Sequence, residues 1–210
     1  MGPVLRVQNS ELTDAAFSPD GHCIVTAGTD RTVRVWTAGT GEETLICSGH
    51  EAGVLGVRFS PDGGSVASAG GDGTVRLWDA RSGRELLTLR GHISYVQALA
   101  FHPGGQVLAS GSTDETVRLW DVPSGKQLHV LQGHTGPVRG LCFSPNGRRL
   151  ASAGEDGTVR IWDVVTGKEM LGLPDSGKVR GVAFSPDGWR LATGSSDGTL
   201  KIWDASPRGD

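Results

Sequence analysis

Short apolar runs separated by polar turns predict β-strands along nearly the whole chain. Between residues 54 and 89, the apolar segment Val54–Phe59 meets the turn Ser60–Gly63, and three further strand-like segments follow, separated by glycine-containing turns. The third segment, Thr74–Trp78, alternates its side chains so that both faces of the strand carry bulky residues. Bulk on both faces is what a small sheet packed between two similar sheets requires.

The same pattern returns at a nearly constant interval, which identifies internal repeats. By subtraction, the repeated tryptophans lie 42, 42, 42 and 41 residues apart: Trp36, Trp78, Trp120, Trp162 and Trp203. Aspartates in glycine-containing turns follow the same offset: Asp30, Asp72, Asp114, Asp156 and Asp197. Since Asp-Gly and Pro-Asp-Gly turns connect adjacent strands, the sequence predicts five units of four short strands each.

Four side chains of the third unit have complementary hydrogen-bonding capacities. The indole of Trp120 only donates, the hydroxyl of Ser110 and neutral His92 both donate and accept, and the carboxylate of Asp114 only accepts. These residues are therefore predicted to form a closed hydrogen-bonded chain in the core. Losing a middle member would leave its neighbours without partners, at a cost of roughly 1–3 kcal/mol.

Composition narrows the classes of function. A net charge of −3 and a pI near 6.1 give no electrostatic signature of nucleic-acid or anionic-membrane binding. The three cysteines lack metal-site or small-domain disulfide spacing, and the histidines outside the repeat pattern do not cluster. The sequence shows no signal peptide and no apolar run of membrane-spanning length. We expect an intracellular protein, cytoplasmic or nuclear, with no cofactor and no metal.

The Gly-His pairs, the 42-residue period and the Trp-Asp pairs that close the third strands resemble the WD40 repeats of β-propellers. The resemblance covers residues 1–210 as a single domain and implies an all-β propeller of five four-stranded blades around a central channel. It also implies that the family's structural tetrad recurs in the three central repeats: His50, Ser68, Asp72 and Trp78; His92, Ser110, Asp114 and Trp120; His134, Ser152, Asp156 and Trp162.

The end repeats depart from this pattern. Gln8 stands where the first repeat should have histidine, and the fifth repeat has lost one residue and its histidine. Residues 3–7 align with the fourth strand of the other repeats, and the resemblance implies that this N-terminal strand joins the last blade and closes the ring. Most members of the family have seven blades, so the alternative is a partial propeller or one completed by a second copy.

Function is predicted at the channel-end loops and not at the repeated Ser, His and Asp residues. Three copies of a catalytic set in one small chain are implausible, so we expect no enzyme. Propeller loops converge on one end of the channel, where a rigid scaffold displays residues for binding. We expect a scaffold that binds a protein or peptide, acidic or phosphorylated, through Tyr95, Gln97, Thr113, Arg139, Glu155, Lys178 and Arg180.

One shorter motif leads to an alternative function. The segment from Trp78 to Arg81 resembles the WDxR box through which some WD40 proteins dock as substrate receptors on cullin-RING ubiquitin ligases, with Asp79 and Arg81 as the docking pair. The same residues also make an ordinary polar turn. A further alternative is that the chain is the WD40 part of a larger signalling or regulatory protein.

Overall fold

The computed structural model describes residues 3–7 and 10–205, and these contain no helix that could span a membrane. Their nineteen strands form five antiparallel sheets, which we call blades 1 to 5. Blade 1 comprises β1 (Leu12–Phe17), β2 (Cys23–Gly28), β3 (Thr32–Thr37) and β4 (Glu43–Ser48). Blade 2 comprises β5 (Val54–Phe59), β6 (Ser65–Gly70), β7 (Val75–Asp79) and β8 (Glu85–Leu89).

The remaining blades repeat this order. Blade 3 comprises β9 (Val96–Phe101), β10 (Val107–Ser112), β11 (Val117–Asp121) and β12 (Gln127–Leu131). Blade 4 comprises β13 (Val138–Phe143), β14 (Arg149–Gly154), β15 (Thr158–Asp163) and β16 (Glu169–Pro174). Blade 5 has three strands among the described residues: β17 (Val179–Phe184), β18 (Arg190–Ser195) and β19 (Leu200–Asp204). The predicted all-β arrangement of five repeated sheets is confirmed.

The predicted turns connect the strands by the expected chemistry. Between β5 and β6, the carboxylate of Asp62 accepts hydrogen bonds from the Ser60 hydroxyl at 2.5 Å and from the Gly64 N–H at 3.0 Å. Gly63 adopts a φ of 72°, a left-handed conformation that glycine reaches at little cost. These contacts within the turn therefore favour the hairpin between β5 and β6.

The hydrophobic cores lie between neighbouring blades. In each of the first three cores, the repeated tryptophan of one blade packs against apolar strand residues of the blade before it, as Trp78 packs with Val33 and Val35 of β3. Both faces of the inner blades are thus buried, as the sequence predicted. First strands of neighbouring blades contact one another, and in blades 1 to 4 the fourth strand forms the opposite edge of the sheet.

Turns between third and fourth strands also bridge neighbouring blades. A side chain added at Gly83 of blade 2 would meet Cys47 of β4 at 3.5 Å, and one at Gly41 of blade 1 would meet Pro3 at 2.7 Å and Leu5 at 3.3 Å. Residues 3 and 5 correspond to residues 45 and 47 of β4 by the 42-residue offset. The N-terminal segment therefore lies beside blade 1 as β4 lies beside blade 2, in the place of a preceding blade's fourth strand.

Closure of the ring by this segment is not observed. Residues 3–7 form no strand, and β19 pairs only with β18 among the described residues. A side chain at Gly140 would meet the carbonyl oxygen of Arg180 in the next blade at 3.0 Å, whereas one at Gly181 would meet nothing within 4 Å. The structure thus corresponds to the alternative of a partial propeller. Gln8 lies outside the described residues.

Candidate functional site

The Trp, Ser, His and Asp side chains of blades 2 to 4 form one continuous hydrogen-bonded network per blade. In blade 3, the Trp120 indole N–H donates to Ser110 Oγ at 2.8 Å, Ser110 Oγ lies 2.8 Å from His92 Nε2, and His92 Nδ1 lies 2.8 Å from Asp114 Oδ2. With the proton of neutral His92 on Nδ1, every donor meets an acceptor. Blades 2 and 4 repeat these contacts at 2.7–2.9 Å.

Burial sets the protonation of this network. It lowers the pKa of His92, and this effect outweighs the hydrogen bond and charge of Asp114, which act to raise the pKa. His50 and His134 are shifted in the same direction for the same reason. Burial raises the pKa of Asp72, but hydrogen bonds from Glu51, Thr74 and His50 outweigh it and lower the pKa to about 2. The network therefore holds neutral imidazole beside an ionised carboxylate.

The geometry indicates that these residues stabilise the fold and do not contact a substrate. Ser68, Ser110 and Ser152 are fully buried and each accepts an indole N–H, so no substrate reaches their hydroxyl groups. Over residues 3–7 and 10–205, no group of three His, Cys, Asp or Glu side chains is placed to hold a metal ion. The three networks join strands within blades.

The end blades build their networks differently. In blade 1, the Trp36 indole donates to Thr26 Oγ1 at 2.8 Å, while Asp30 bonds to Thr32 and Arg34 instead of extending the chain. In blade 5, Trp203 donates to Thr193 Oγ1 at 3.2 Å, and Thr193 donates to Asp175 Oδ2 at 3.1 Å. Lys201 Nζ lies 2.6 Å from Asp175 Oδ1. Asp175 thus occupies the role that histidine has in the central blades.

A cavity of about 560 Å³ opens at the start of the first strands, and we call it the channel cavity. All five blades contribute to its wall: Glu11, Leu12, Thr13, Leu55, Gln97, Arg139 and Arg180. Three predicted residues, Gln97, Arg139 and Arg180, are therefore brought together here. Of the other four, Glu155 contacts the wall residue Arg139, and Lys178 contacts Glu155. Thr113 contacts Tyr95, which lies two residues before Gln97 in the sequence.

One carboxylate connects two of the predicted cations. Glu155 Oε1 accepts from Arg139 Nε at 2.6 Å, and Glu155 Oε2 lies 2.7 Å from Lys178 Nζ. A third contact joins the Arg139 guanidinium to the side-chain oxygen of Gln97. The two cations together lower the pKa of Glu155 and keep it ionised. Arg180 is exposed and has no side-chain partner among the described residues.

Leu12 and Leu55 give the wall of the channel cavity an apolar part, and exposed apolar side chains also lie on the loop before β9. Tyr95 is exposed, and its carbonyl oxygen accepts from the Thr113 N–H at 2.9 Å, which fixes this loop. Ile93, which sequence reasoning missed, is 90% exposed on the same loop. The sequence could have indicated Ile93, because it is an apolar residue directly after Gly91-His92, where the neighbouring repeats carry the polar residues Glu51 and Thr135.

A second cavity lies at the other end of the first strands, and sequence reasoning did not predict it. It measures about 350 Å³, and phenylalanines that end four first strands contribute to its wall: Phe17, Phe59, Phe101 and Phe143. The sequence signal was the repeated Phe before each Ser-Pro or His-Pro turn. The two ends of the channel therefore differ, one charged and polar, the other aromatic.

The predicted docking pair lies in the turn between β7 and β8. Asp79 Oδ1 accepts from the Ser82 N–H at 2.7 Å and from the Ser82 hydroxyl at 2.6 Å, as Asp163 does with Thr166 in blade 4. Arg81 is exposed. Asp79 thus has a turn-stabilising role shared by other blades, and adaptor docking by this pair stays a prediction.

Comparison with known protein families adds one match. The family model described as "WD domain, G-beta repeat" matches residues 3–37, 41–79, 83–121, 125–163 and 168–204. The five matches together extend over most of the chain. No curated protein matches the sequence significantly.

Proposed function

Because the chain belongs to the WD40-repeat family, whose members generally act as protein–protein interaction scaffolds, we propose that it is a non-catalytic scaffold holding a protein or peptide segment on the channel-end loops. The observation that carries this proposal is the channel cavity, to which all five blades contribute side chains. Residues displayed on loops of a rigid scaffold commonly bind partners. A segment placed there would contact several blades at once.

The charges around the opening favour an acidic or phosphorylated segment. Arg139, Lys178 and Arg180 give three positive charges, and Glu11 and Glu155 give two negative ones, so one positive charge is left in excess. Arg139 and Lys178 already share Glu155. Arg180 is the cation that has no partner among residues 3–7 and 10–205. Its guanidinium can bind a carboxylate or phosphate through two parallel hydrogen bonds.

The apolar side chains near the opening add a second requirement. Ile93 and Tyr95 are exposed on the loop that leads into β9, and Leu55 lies in the cavity wall. Tyrosine and arginine are residue types enriched at interface hot spots. We therefore propose a segment in which an acidic or phosphorylated residue lies near an apolar one, so that the first meets Arg180 and the second meets Tyr95.

Binding to three fluorescent peptide pools tests this proposal. The pools contain an apolar residue near aspartate or glutamate, near phosphoserine, or near an uncharged residue. We expect the wild-type protein to bind one of the two anionic pools, and Arg180→Glu to weaken that binding at least tenfold, because a like charge replaces the anchor. Fluorescence anisotropy at two salt concentrations measures both effects.

Arg148→Glu is the matched control. Arg148 is exposed in the turn after β13, at the aromatic end of the channel, and its replacement changes the net charge equally. We expect it to alter binding less than twofold. Equal losses in the two variants would show a non-specific charge effect, and unchanged binding by Arg180→Glu would show that the proposed site is wrong.

A further inference from the structure

The two end blades each expose a face that the inner blades bury. Leu12 of β1 is 43% exposed, whereas the residues at its position in blades 2 to 5 are fully buried: Val54, Val96, Val138 and Val179. On β19, Leu200 is 69% and Ile202 is 65% exposed. The residues at these two positions in blades 1 to 4 are at most 7% exposed: Val33 and Val35, Val75 and Leu77, Val117 and Leu119, Val159 and Ile161.

These faces are the two halves of one junction that the chain forms four times internally. Between blades 2 and 3, Val75 and Leu77 of the third strand pack with Val96 and Leu99 of the next first strand. By the repeat offset, Leu200 and Ile202 stand in the positions of Val75 and Leu77, while Leu12 and Ala15 stand in those of Val96 and Leu99. Blade 5 therefore presents a surface of the type that a first strand covers, and blade 1 presents such a first strand.

The strand edges of blades 1 and 5 are complementary in the same way as their faces. Residues 3–7 lie against Gly41 in the position of a preceding blade's fourth strand, yet they form no strand. The outer edge of β19 pairs with no strand among the described residues. An unpaired edge presents a row of N–H and C=O groups that can pair with another extended segment.

Among the described residues of one chain, these halves do not meet. Side chains added at Gly181 and Gly194 of blade 5 would meet nothing within 4 Å, whereas one at Gly111, the counterpart of Gly194 in blade 3, would meet Val138 of blade 4 at 2.7 Å. The described residues therefore leave the blade 5 face uncovered at these two positions. The apolar composition of the face and the repeat match favour an occupant built like blade 1.

We propose that the open face and free edge of blade 5 bind blade 1 and residues 3–7 of a second copy of this chain. The fifth sheet then receives its fourth strand from the partner. In blades 1 to 4 the residues at the Leu200 position pair with those at the Leu5 position: Val33 with Cys47, Val75 with Leu89, Val117 with Leu131, and Val159 with Leu173. The register of the exchanged strand is thus Leu200 opposite Leu5. Because donor and acceptor differ, the contact is head-to-tail and either closes into a ring or continues as a chain of copies.

Mass measurement by sedimentation and light scattering gives the first test. The wild-type protein should exceed the monomer mass in a concentration-dependent way, and Ile202→Glu should raise the dissociation constant at least tenfold. Val165→Glu is the control, because Val165 is also a strongly exposed apolar residue but lies in the β15–β16 turn. Circular dichroism checks that both variants fold. A wild-type protein that stays monomeric at all concentrations would overturn the proposal.

Cysteine cross-linking distinguishes exchange from closure within one chain. Residues paired across antiparallel strands lie close enough for a disulfide. A mixture of Leu5→Cys chains with Leu200→Cys chains should form a covalent dimer on oxidation, and each variant alone controls for Cys23, Cys47 and Cys142. No dimer above these controls would refute the exchange. A double variant, Leu5→Cys with Leu200→Cys, that cross-links only within monomers would show closure of one ring instead.

Discussion

Blades 3 and 5 satisfy the same buried indole with different chemistry. In blade 3, the hydroxyl that accepts the Trp120 N–H lies beside neutral His92, whose other nitrogen meets Asp114. In blade 5, the Thr193 hydroxyl donates to Asp175, which forms an ion pair with the half-buried Lys201. In both blades, the hydroxyl that accepts the indole N–H needs an acceptor for its own hydrogen. An imidazole nitrogen fills this role in blade 3, and a carboxylate fills it in blade 5.

The two hydrogen-bonding arrangements differ in whether they place a charge in the core that must be balanced. His92 is buried without charge, so it requires no counterion from solvent. The side chain of Asp175 is only 1% exposed and carries a charge, which Lys201 balances from a position 36% exposed. An inner blade, covered on both faces, suits the first arrangement. Blade 5, open on one face, can accommodate the second.

Acidification should give the largest difference between the two arrangements in their contribution to the free energy of unfolding. The pKa of each network histidine is lowered by folding, so below pH 6.5 the unfolded chain binds more protons and the free energy of unfolding decreases. We expect a loss of up to about 2 kcal/mol per histidine between pH 7 and pH 5. Folding also lowers the pKa of Asp175, but from 3.8, so its contribution is lost only below that value. Urea unfolding at several pH values measures the slope, and a flat profile from pH 7 to 5 would contradict this account.

Removing the central hydroxyl should affect blade 3 more than blade 5. Ser110→Ala leaves both the Trp120 N–H and the His92 ring nitrogen without partners in a closed core, at roughly 2–4 kcal/mol. Thr193→Ala should cost about 1–2 kcal/mol, because Trp203 is partly exposed and water can replace the lost bond. Thermal unfolding of the two variants measures the difference, and a larger loss for Thr193→Ala would reverse the comparison.

An effect as small as that of Thr193→Ala is expected from the carboxylate of blade 5. Asp175→Ala removes the acceptor for Thr193 and the partner of Lys201, but Lys201 can turn to solvent, so we expect a loss of about 1–2 kcal/mol. Asp175→Asn keeps an acceptor and should lose less. If both variants unfold like the wild type, Asp175 does not replace the histidine.

The fold was largely predictable because its information is local and repeated. The Trp spacing and the Asp-Gly turns determine strand order without reference to distant contacts. The role of Asp175 was not predicted, because the deletion in the fifth repeat shifts the offset that locates the histidine. Its signal was a carboxylate near the lost position together with Lys201 in place of the arginine found at residues 34, 76, 118 and 160.

The candidate site was predictable in its location more than in its contacts. The offset placed Gln97, Arg139 and Arg180 on the same strand positions, and these three line one cavity. The bridge from Glu155 to Arg139 and Lys178 depends on which residues two neighbouring blades carry at their variable positions. The repeat pattern of one blade does not contain this information. Closure was equally beyond the pattern, because a repeat specifies its neighbours and not how many of them complete a circle.

The Glu155 bridge has a consequence for selectivity. It acts as a tethered competitor, since a ligand carboxylate that approaches Arg139 or Lys178 must displace a carboxylate already attached to the same molecule. A tethered group competes at an effective concentration on the order of millimolar. A ligand with one carboxylate gains little from this exchange, whereas a phosphate or a pair of acidic residues brings more charge than it displaces. Under the proposed function, this bridge would make the site discriminate between singly and multiply charged segments.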